Sequence, residues 1–310
     1  MRAACARHGR VIRGAIEQPH LWPWSTVFRA RSSRGAVYLK CCGPSQAHEP
    51  KLTALLRRLA PRDVPVLIAR HTRRDWMLLD DGGQKIRDVA RGRDLLREWE
   101  RILPRYAAIQ IALLGREREL LAARTPDHRL DRLASGVAGI LGDVSVIRRP
   151  GYDQLSASDV RRIRATLPAI EARAAELEGL GVGPTIQHDD LHDGNILRRG
   201  SRTVVFDWGD ACVSHPFLSL TIVLRAAAHG TGIPRRDDRI ARIRDAYLEP
   251  FSRFAPMSEL RRAAAIAERL GIVSRALTWY RVVKVSGGPL DIGRETFAGW
   301  LRLLPASFRP

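Results

Sequence analysis

Residues 187–211 read QHDDLHDGNILRRGSRTVVFDWGDA, and this stretch decides how the rest of the chain is understood. It sets three oxygen-bearing side chains in a fixed order: Asp190, Asn195, Asp207. Between the last two lies Thr203-Val204-Val205-Phe206, behind the turn-like cluster Arg199-Gly200-Ser201-Arg202. A β-branched and aromatic run after a turn predicts a short buried strand. Such a strand delivers Asp207 at its end.

Loop, strand and acid in that order have a chemical meaning. Residues 188–195 fit the catalytic-loop pattern H-x-D-L-x-x-x-N, and Asp207-Trp208-Gly209 stands where D-F-G follows it in protein kinases. Phosphoryl transfer needs one carboxylate to take the proton of the attacking hydroxyl. It needs an Asn and a second carboxylate to hold Mg²⁺ against the phosphates.

The chain has 310 residues, which suits one large domain or two lobes sharing a cleft. A hydrophobic content of 45% supports a packed core and excludes a disordered chain. The formal net charge of +19 admits nucleic acid, a membrane surface or an anionic substrate as its reason. The lysines are Lys40, Lys51, Lys85 and Lys284, so nearly all the positive charge is arginine, spread along the whole chain. That spread reads as a solvated surface, and no basic run interleaved with aromatics forms a nucleic-acid motif. Cys5, Cys41, Cys42 and Cys212 show no CxxC spacing, and neighbours Cys41 and Cys42 would face opposite sides of a strand. Neither a disulfide framework nor a zinc cage is expected, and a reducing compartment fits. The N-terminus has no apolar stretch of signal-peptide length, and no run approaches the roughly 18 apolar residues of a membrane span. The expectation is a cytoplasmic protein that does not enter a membrane.

Residues 25–30 and 36–40 read as two strands joined by the turn Ser32-Ser33-Arg34-Gly35. Val37-Tyr38-Leu39-Lys40 fits the V-A-I-K type of strand, whose Lys pairs with the α- and β-phosphates of ATP. Such a Lys needs a carboxylate to hold it. Glu49 is the only acid between Lys40 and Asp63, so elimination names it. It heads a helical pattern of Leu52, Leu55, Leu56 and Leu59, with Pro50 marking the first turn. That position leaves its reach to Lys40 open, against the plainer reading of a Glu favoured by the helix dipole. Residues 64–70 and 76–79 predict further strands, and Asp80-Asp81-Gly82-Gly83 a turn. A nucleotide-binding lobe over 1–80 closes there. The backbone near Leu78 to Asp80 is a hinge where adenine would bond to main-chain groups.

From Ile86 onward the pattern is helical, with Pro104 as a kink or break. Further helices are expected over 130–141, over 158–180 with Ser158 as N-cap, and over 218–228, 237–254, 258–283 and 294–304. The aromatic and Leu stripes of the last helices read as core. The fold class is α+β: a small β-rich lobe, then a larger helical lobe over 81–310 carrying the catalytic loop and acceptor site.

These residues resemble the aminoglycoside phosphotransferase family, which shares the protein-kinase-like fold and includes choline and homoserine-type small-molecule kinases. The family signature is close to H-G-D-L-H-x-G-N-x-L, and the chain has His188-Asp189-Asp190-Leu191-His192-Asp193-Gly194-Asn195-Ile196-Leu197. Asp189 stands where Gly is usual. The resemblance implies a bilobal kinase that moves the γ-phosphate of ATP to a hydroxylated small molecule. It implies Asp190 as catalytic base, Asn195 and Asp207 as Mg²⁺ ligands, Lys40 on the phosphates and Glu49 as its anchor. His188 orients the loop, and His192 is a candidate to face the γ-phosphate. No G-x-G-x-x-G accompanies the first hairpin, so the phosphates are expected under Trp24-Ser25-Thr26, bound by backbone N–H groups and the hydroxyls of Ser25 and Thr26. The family pattern G-x-P-x-x-D-L reads Ser214-His215-Pro216-Phe217-Leu218-Ser219-Leu220 here. Ser219 occupies the place of an acid that braces the catalytic loop, so the brace must come from elsewhere.

Two rivals stand beside this reading. His188, Asp189, Asp190, His192 and Asp193 also read as a metal-dependent hydrolase cluster, though Gly194 and the lack of a third ligand argue against zinc on a helix. A non-catalytic kinase-shaped binding protein is the other, opposed by the intact Asp190, Asn195 and Asp207. The acceptor is not readable. A polycationic aminoglycoside wants an acidic pocket, and the basic chain offers scattered acids such as Asp210, Asp245, Glu249, Asp291 and Glu295. Asp210 is the best placed of them to touch substrate or support the metal ligand.

Overall fold

The computed structural model describes residues 1–285 and 296–309. The N-terminal part is a sheet. After the short helix α1 (Arg2–Arg7) come β1 (Ile12–Trp22), β2 (Ser25–Ser32) and β3 (Gly35–Cys42), each antiparallel to the last. Helix α2 (Glu49–Leu59) follows, then β4 (Leu67–Arg70) and β5 (Trp76–Asp80). The five strands form one antiparallel sheet in the order β1-β2-β3-β5-β4. Gly35 closes the β2–β3 turn with φ +99°, a conformation that costs a side-chain-bearing residue dearly. Strand β1 had no sequence expectation, and its burial shows why. Only Ile12 is buried in this edge strand, so it carries no alternation to read.

Past Asp80 the chain is mostly helical. Strand β6 (Gln84–Lys85) leads into α3 (Ile86–Val89), α4 (Gly92–Ile111), α5 (Glu117–Ala122), α6 (Leu130–Gly142) and α7 (Val144–Ile147). Helix α4 runs on through Pro104. A proline inside a helix costs about 3 kcal/mol, and the buried Trp99, Leu103, Tyr106 and Ala107 around it supply the packing that offsets this. The single helix expected over 158–180 is two, α8 (Ala157–Arg164) and α9 (Leu167–Glu178). The N-cap is Ser156 instead of Ser158: its Oγ accepts from Asp159 N at 3.0 Å while the Asp159 carboxylate accepts from Ser156 N. Pro168 breaks the pair, because it lacks the N–H to extend α8 yet suits the first turn of α9.

Four short strands then carry the stretch that opened the sequence reading. They are β7 (Thr185–Gln187), β8 (Ile196–Arg199), β9 (Arg202–Val205) and β10 (Cys212–Ser214). β7 pairs with β10, and β6, β8 and β9 form a separate small sheet, all antiparallel. Helices α10 (Leu220–Thr231), α11 (Asp238–Leu248), α12 (Met257–Val285) and α13 (Phe297–Ser307) complete the chain. The expected start of the last helix at Arg294 lies outside the described residues. No helix among the described residues is long and apolar enough to cross a membrane.

The main core joins the helices to α2 through Leu52 and Leu56, while the sheet keeps a small cluster of Cys5, Ile12, Ala30, Val37 and Leu78. The helix that begins with Glu49 is therefore anchored in the larger core, and the strand that carries Lys40 belongs to the five-stranded sheet with the smaller cluster.

Candidate active site

Lys40 is where sheet, α2 and the Asp207 loop meet. Backbone register sets it opposite Val27 and Met77 in the middle of the sheet. Its Nζ lies 2.6 Å from Glu49 Oε2 and 2.6 Å from Asp207 Oδ1. Glu49 is the first residue of α2 and still reaches Lys40, since the three-residue 3-10 turn Pro44–Gln46 folds the chain directly back from β3. Lys40 is 7% exposed and Glu49 1%. Burial alone would lower the ammonium pKa, but Asp207 and Glu49 together hold it above its ordinary value. Burial raises the Glu49 carboxyl, with Lys40 opposing. Asp207 is pulled below the ordinary range because Lys40 outweighs its burial.

Two acids of the 187–211 stretch are left-handed. Asp189 has φ +63° and Asp207 φ +62°, a region that Asp tolerates better than most side chains. Asp189, which stands where the family pattern has Gly, takes a backbone conformation that glycine adopts freely. The Asp189 carboxylate points inward, accepting from Gln187 Nε2 at 3.0 Å and from Thr278 Oγ1. Burial raises its pKa to about 6 despite the nearby Arg275. Asn195 donates through Nδ2 to the Asp190 backbone O at 2.9 Å and to Asp190 Oδ2 at 3.3 Å. His188 pairs through Nε2 with the Phe206 carbonyl at 2.9 Å and accepts at Nδ1 from Asp190 N at 3.3 Å. Buried against Trp208, its pKa is lowered by loss of solvent, so it acts as a neutral strut.

The missing acid at Ser219 has a replacement. Ser219 Oγ lies 2.8 Å from Tyr106 Oη, and that hydroxyl accepts from the backbone N–H of His188 at 3.0 Å. Gln110 Nε2 donates to Tyr106 Oη at 3.1 Å, and Tyr247 Oη donates to Gln110 Oε1 at 2.6 Å. A neutral buried network from α4, α11 and the 3-10 turn Pro216–Ser219 holds the loop where a carboxylate was expected.

Two cavities meet at Asp207. One, of about 520 Å³, is lined by Ser25, Lys40, Glu49, Asn195 and Asp207 with the backbone segment from Leu79 to Gly83. The other, of about 640 Å³, is lined by Trp24, Asp190, His192, Asp207, Asp210 and Arg275, among others. Both volumes suit a small ligand. Ser25 and Val27 line the first cavity, while Thr26 between them does not. Alternation along β2 turns Thr26 to the other face of the sheet, which corrects its expected place beside Ser25. His192 lines the second cavity and not the first. Its Nδ1 accepts from Gly194 N at 2.9 Å and lies 2.8 Å from the Arg87 guanidinium. A Cβ on Gly194 would fall against that guanidinium, so a larger residue there would push the flexible Arg87 side chain aside.

The second cavity contains residues that motif reading passed over. Arg275 of α12, 4% exposed, reaches Asp190 Oδ1 at 2.9 Å and Asp210 Oδ2 at 2.6 Å. Asp210, expected to touch substrate or support the metal ligand, lines this cavity and is also bound by Gln46 Nε2 at 3.2 Å. Arg275 and Arg281 outweigh its burial and hold its pKa at about 2. Arg275 lies over Trp279, Cζ 5.3 Å from the ring centroid, and Trp24 from the β1–β2 turn meets Trp279 edge-on at 5.9 Å. The tip of the first hairpin is thereby seated on α12. The apolar stripe containing Trp279 had been read as core, and the sign that would have separated Arg275 was an arginine within an otherwise buried helical face. Asp245 pairs with Arg261 away from both cavities, and Asp291 and Glu295 lie outside the described residues.

The hydrolase cluster does not assemble. His188 faces Phe206, Asp189 faces Thr278 and Asp193 pairs with Arg87 at 2.7 Å. Among the described residues, no three His, Cys, Asp or Glu side chains group in a way that would hold a metal. Asn195 and Asp207 suit a different kind of ion. Nδ2 of Asn195 is committed to Asp190 and Oδ1 of Asp207 to Lys40. Asn195 Oδ1 and Asp207 Oδ2 remain, both on residues lining the first cavity. Hard oxygen donors, few in number, fit a Mg²⁺ that takes its other ligands from phosphates and water.

A model of the phosphotransferase enzyme family matches residues 18–260. A search of curated protein sequences finds no match. Among solved structures the chain is similar to an ethanolamine kinase of Plasmodium vivax, at 12% identity and TM-score 0.63, covering 96% of this chain and 82% of that one. It is similar to a macrolide 2′-phosphotransferase type I, at 17% identity and TM-score 0.56, covering 100% and 95%. It is also similar to a spectinomycin phosphotransferase in complex with ADP and spectinomycin, at 11% identity and TM-score 0.50, covering 96% and 95%. At these identities the likeness shows the fold: an α+β, protein-kinase-like arrangement of an N-terminal antiparallel sheet and a mostly helical remainder.

Proposed function

As a member of the phosphotransferase enzyme family the chain is a small-molecule kinase, and we propose that it transfers the γ-phosphate of ATP to a hydroxyl of its acceptor with Asp190 as base. The observation that carries this is the junction at Asp207. Lys40 and Asn195 line one cavity and Asp190 the next, with Asp207 shared by both. That is the separation an in-line transfer between two bound ligands requires.

In this reading ATP lies in the Lys40 cavity, its adenine against the backbone from Leu79 to Gly83. Lys40, kept charged by Glu49, binds the phosphates. Ser25 and the β1–β2 turn cover them. Asn195 Oδ1 and Asp207 Oδ2 would hold Mg²⁺, which when bound neutralises charge on the phosphate oxygens. Asp190 accepts the acceptor's proton as its oxygen attacks phosphorus and the bond to the β-phosphate oxygen breaks. Asn195 and Arg275 orient that carboxylate, and His192 borders the acceptor side. Residues 1–80 then form the nucleotide lobe and 81–310 the acceptor lobe.

Calorimetric titration with ATP, with and without Mg²⁺, tests the nucleotide site. Mg²⁺-dependent binding is expected. No binding under either condition overturns the reading in favour of a non-catalytic, kinase-shaped binding protein.

A further inference from the structure

The wall of the acceptor cavity formed by α10 and α13 carries an arginine stacked on a tryptophan. Arg225 lines the cavity beside Ile222, Ala226 and His229. Its guanidinium lies over Trp300 of α13, Cζ 5.1 Å from the ring centroid. Its Nε is buried without a hydrogen-bond partner, and among the described residues no carboxylate pairs with it. Loss of solvent and the nearby Arg235 lower its pKa, Glu268, itself paired with Arg235, opposes them, and a guanidinium stays charged at neutral pH. A half-buried cation that must share a carboxylate with a second arginine is poorly compensated. Stacking on an indole face leaves the edge N–H groups of a guanidinium free, and that edge matches a carboxylate or phosphate in bidentate fashion.

The acids on the same cavity are already engaged. Arg275 binds Asp190 and Asp210, Arg87 binds Asp193 and Lys40 binds Asp207. A cationic acceptor would compete with three resident cations for these carboxylates. An anionic one finds an open cation in Arg225.

We propose that the acceptor is a hydroxylated molecule with an anionic group, carboxylate or phosphate, which Arg225 holds against Trp300 while the hydroxyl reaches Asp190. This rests on the small-molecule kinase reading above. Trp24, Trp279 and Trp300 line the cavity, so tryptophan fluorescence of the full chain reports binding there. The probes are glucuronate, glucose 6-phosphate, glucose and glucosamine, which share a hydroxylated frame and differ in charge. At least one anion should bind about tenfold tighter than glucosamine. Preference for glucuronate assigns a carboxylate and preference for glucose 6-phosphate a phosphate. Arg225→Gln should abolish the preference, and Arg225→Lys should retain part of it. Glucosamine binding as tightly as both anions, no anion binding, or a preference that survives Arg225→Gln overturns the proposal. Should Arg225→Gln fail to fold by circular dichroism, the wild-type ranking and Arg225→Lys decide it. Mg²⁺-dependent ATP titration separates the two readings. Anion binding without ATP binding sinks the kinase reading alone, and ATP binding with a glucosamine preference sinks the anionic acceptor alone.

Discussion

The cavity around Lys40 and the cavity around Arg275 share Asp207 but are made differently. The first takes its polar groups from strands and their ends: Ser25 on β2, Lys40 on β3, Asn195 ahead of β8 and Asp207 after β9. Backbone register places them, and register leaves a local trace in spacing and alternation. The second adds to Asp190 and His192 of the motif side chains from α10, α12, α13 and the β1–β2 turn, which are far apart in the sequence. Ion pairs and aromatic contacts place those, and they leave no spacing to read. The first cavity is thus built mostly from motif, and the helical wall of the second from packing.

The strongest test of this contrast is Asp190→Asn at the junction. Turnover should fall by about 10²–10⁴-fold, the usual worth of a positioned base, while ATP affinity by calorimetry stays as in wild type. Wild-type turnover in this variant removes Asp190 from its role.

Next comes a matched pair of charge deletions, Lys40→Met and Arg275→Met. Each strands two carboxylates. Lys40→Met leaves the fully buried Glu49 unpaired and should cost about 3–5 kcal/mol in urea unfolding. Arg275→Met leaves Asp190 and Asp210, whose side chains keep 26% and 16% exposure, so water softens the loss. Equal losses would erase the distinction drawn between the cavities.

Asp189 gives a pH test. Its pKa is raised by burial to about 6, so the folded state binds its proton more tightly than the unfolded chain. Its stabilising contribution is complete below about pH 4 and is lost as pH rises through 6. The effect is on the order of 3 kcal/mol. Asp189→Asn should flatten this dependence when unfolding is followed at about pH 4 and about pH 7. An unchanged slope assigns it to another group.

Tyr106→Phe sharpens the account of the loop brace. It removes the acceptor for His188 N and the partner of Ser219, at roughly 1–3 kcal/mol for an unsatisfied buried N–H. A variant as stable as wild type would mean that Gln110 carries the brace.

Much of the first cavity, and Asp190 in the second, was legible because their chemistry is constrained locally. Asp190 and Asn195 must be five residues apart on one loop, and Asp207 must end a short strand. Glu49 was named by elimination, yet whether it could reach Lys40 depended on the path of residues 43–48, which spacing does not reveal. Thr26 was misplaced because one residue along a strand changes the face. Strand β1 was invisible because an exposed edge strand has no hydrophobic period. The replacement of an acid by Ser219, Tyr106 and Gln110 was equally hidden, since its members come from separate elements.

The sequence alone determined the fold class, the order of sheet and helices and the identity of the loop acids, because hydrophobic period and motif spacing are properties of neighbours along the chain. The tertiary structure decided which charges meet. Arg275 on Asp190, Arg87 on Asp193 and Arg225 without an ion pair among the described residues depend on helices that only packing brings together. Among nearly fifty arginines of identical chemistry, distance and burial alone separate solvated surface charge from a lining cation.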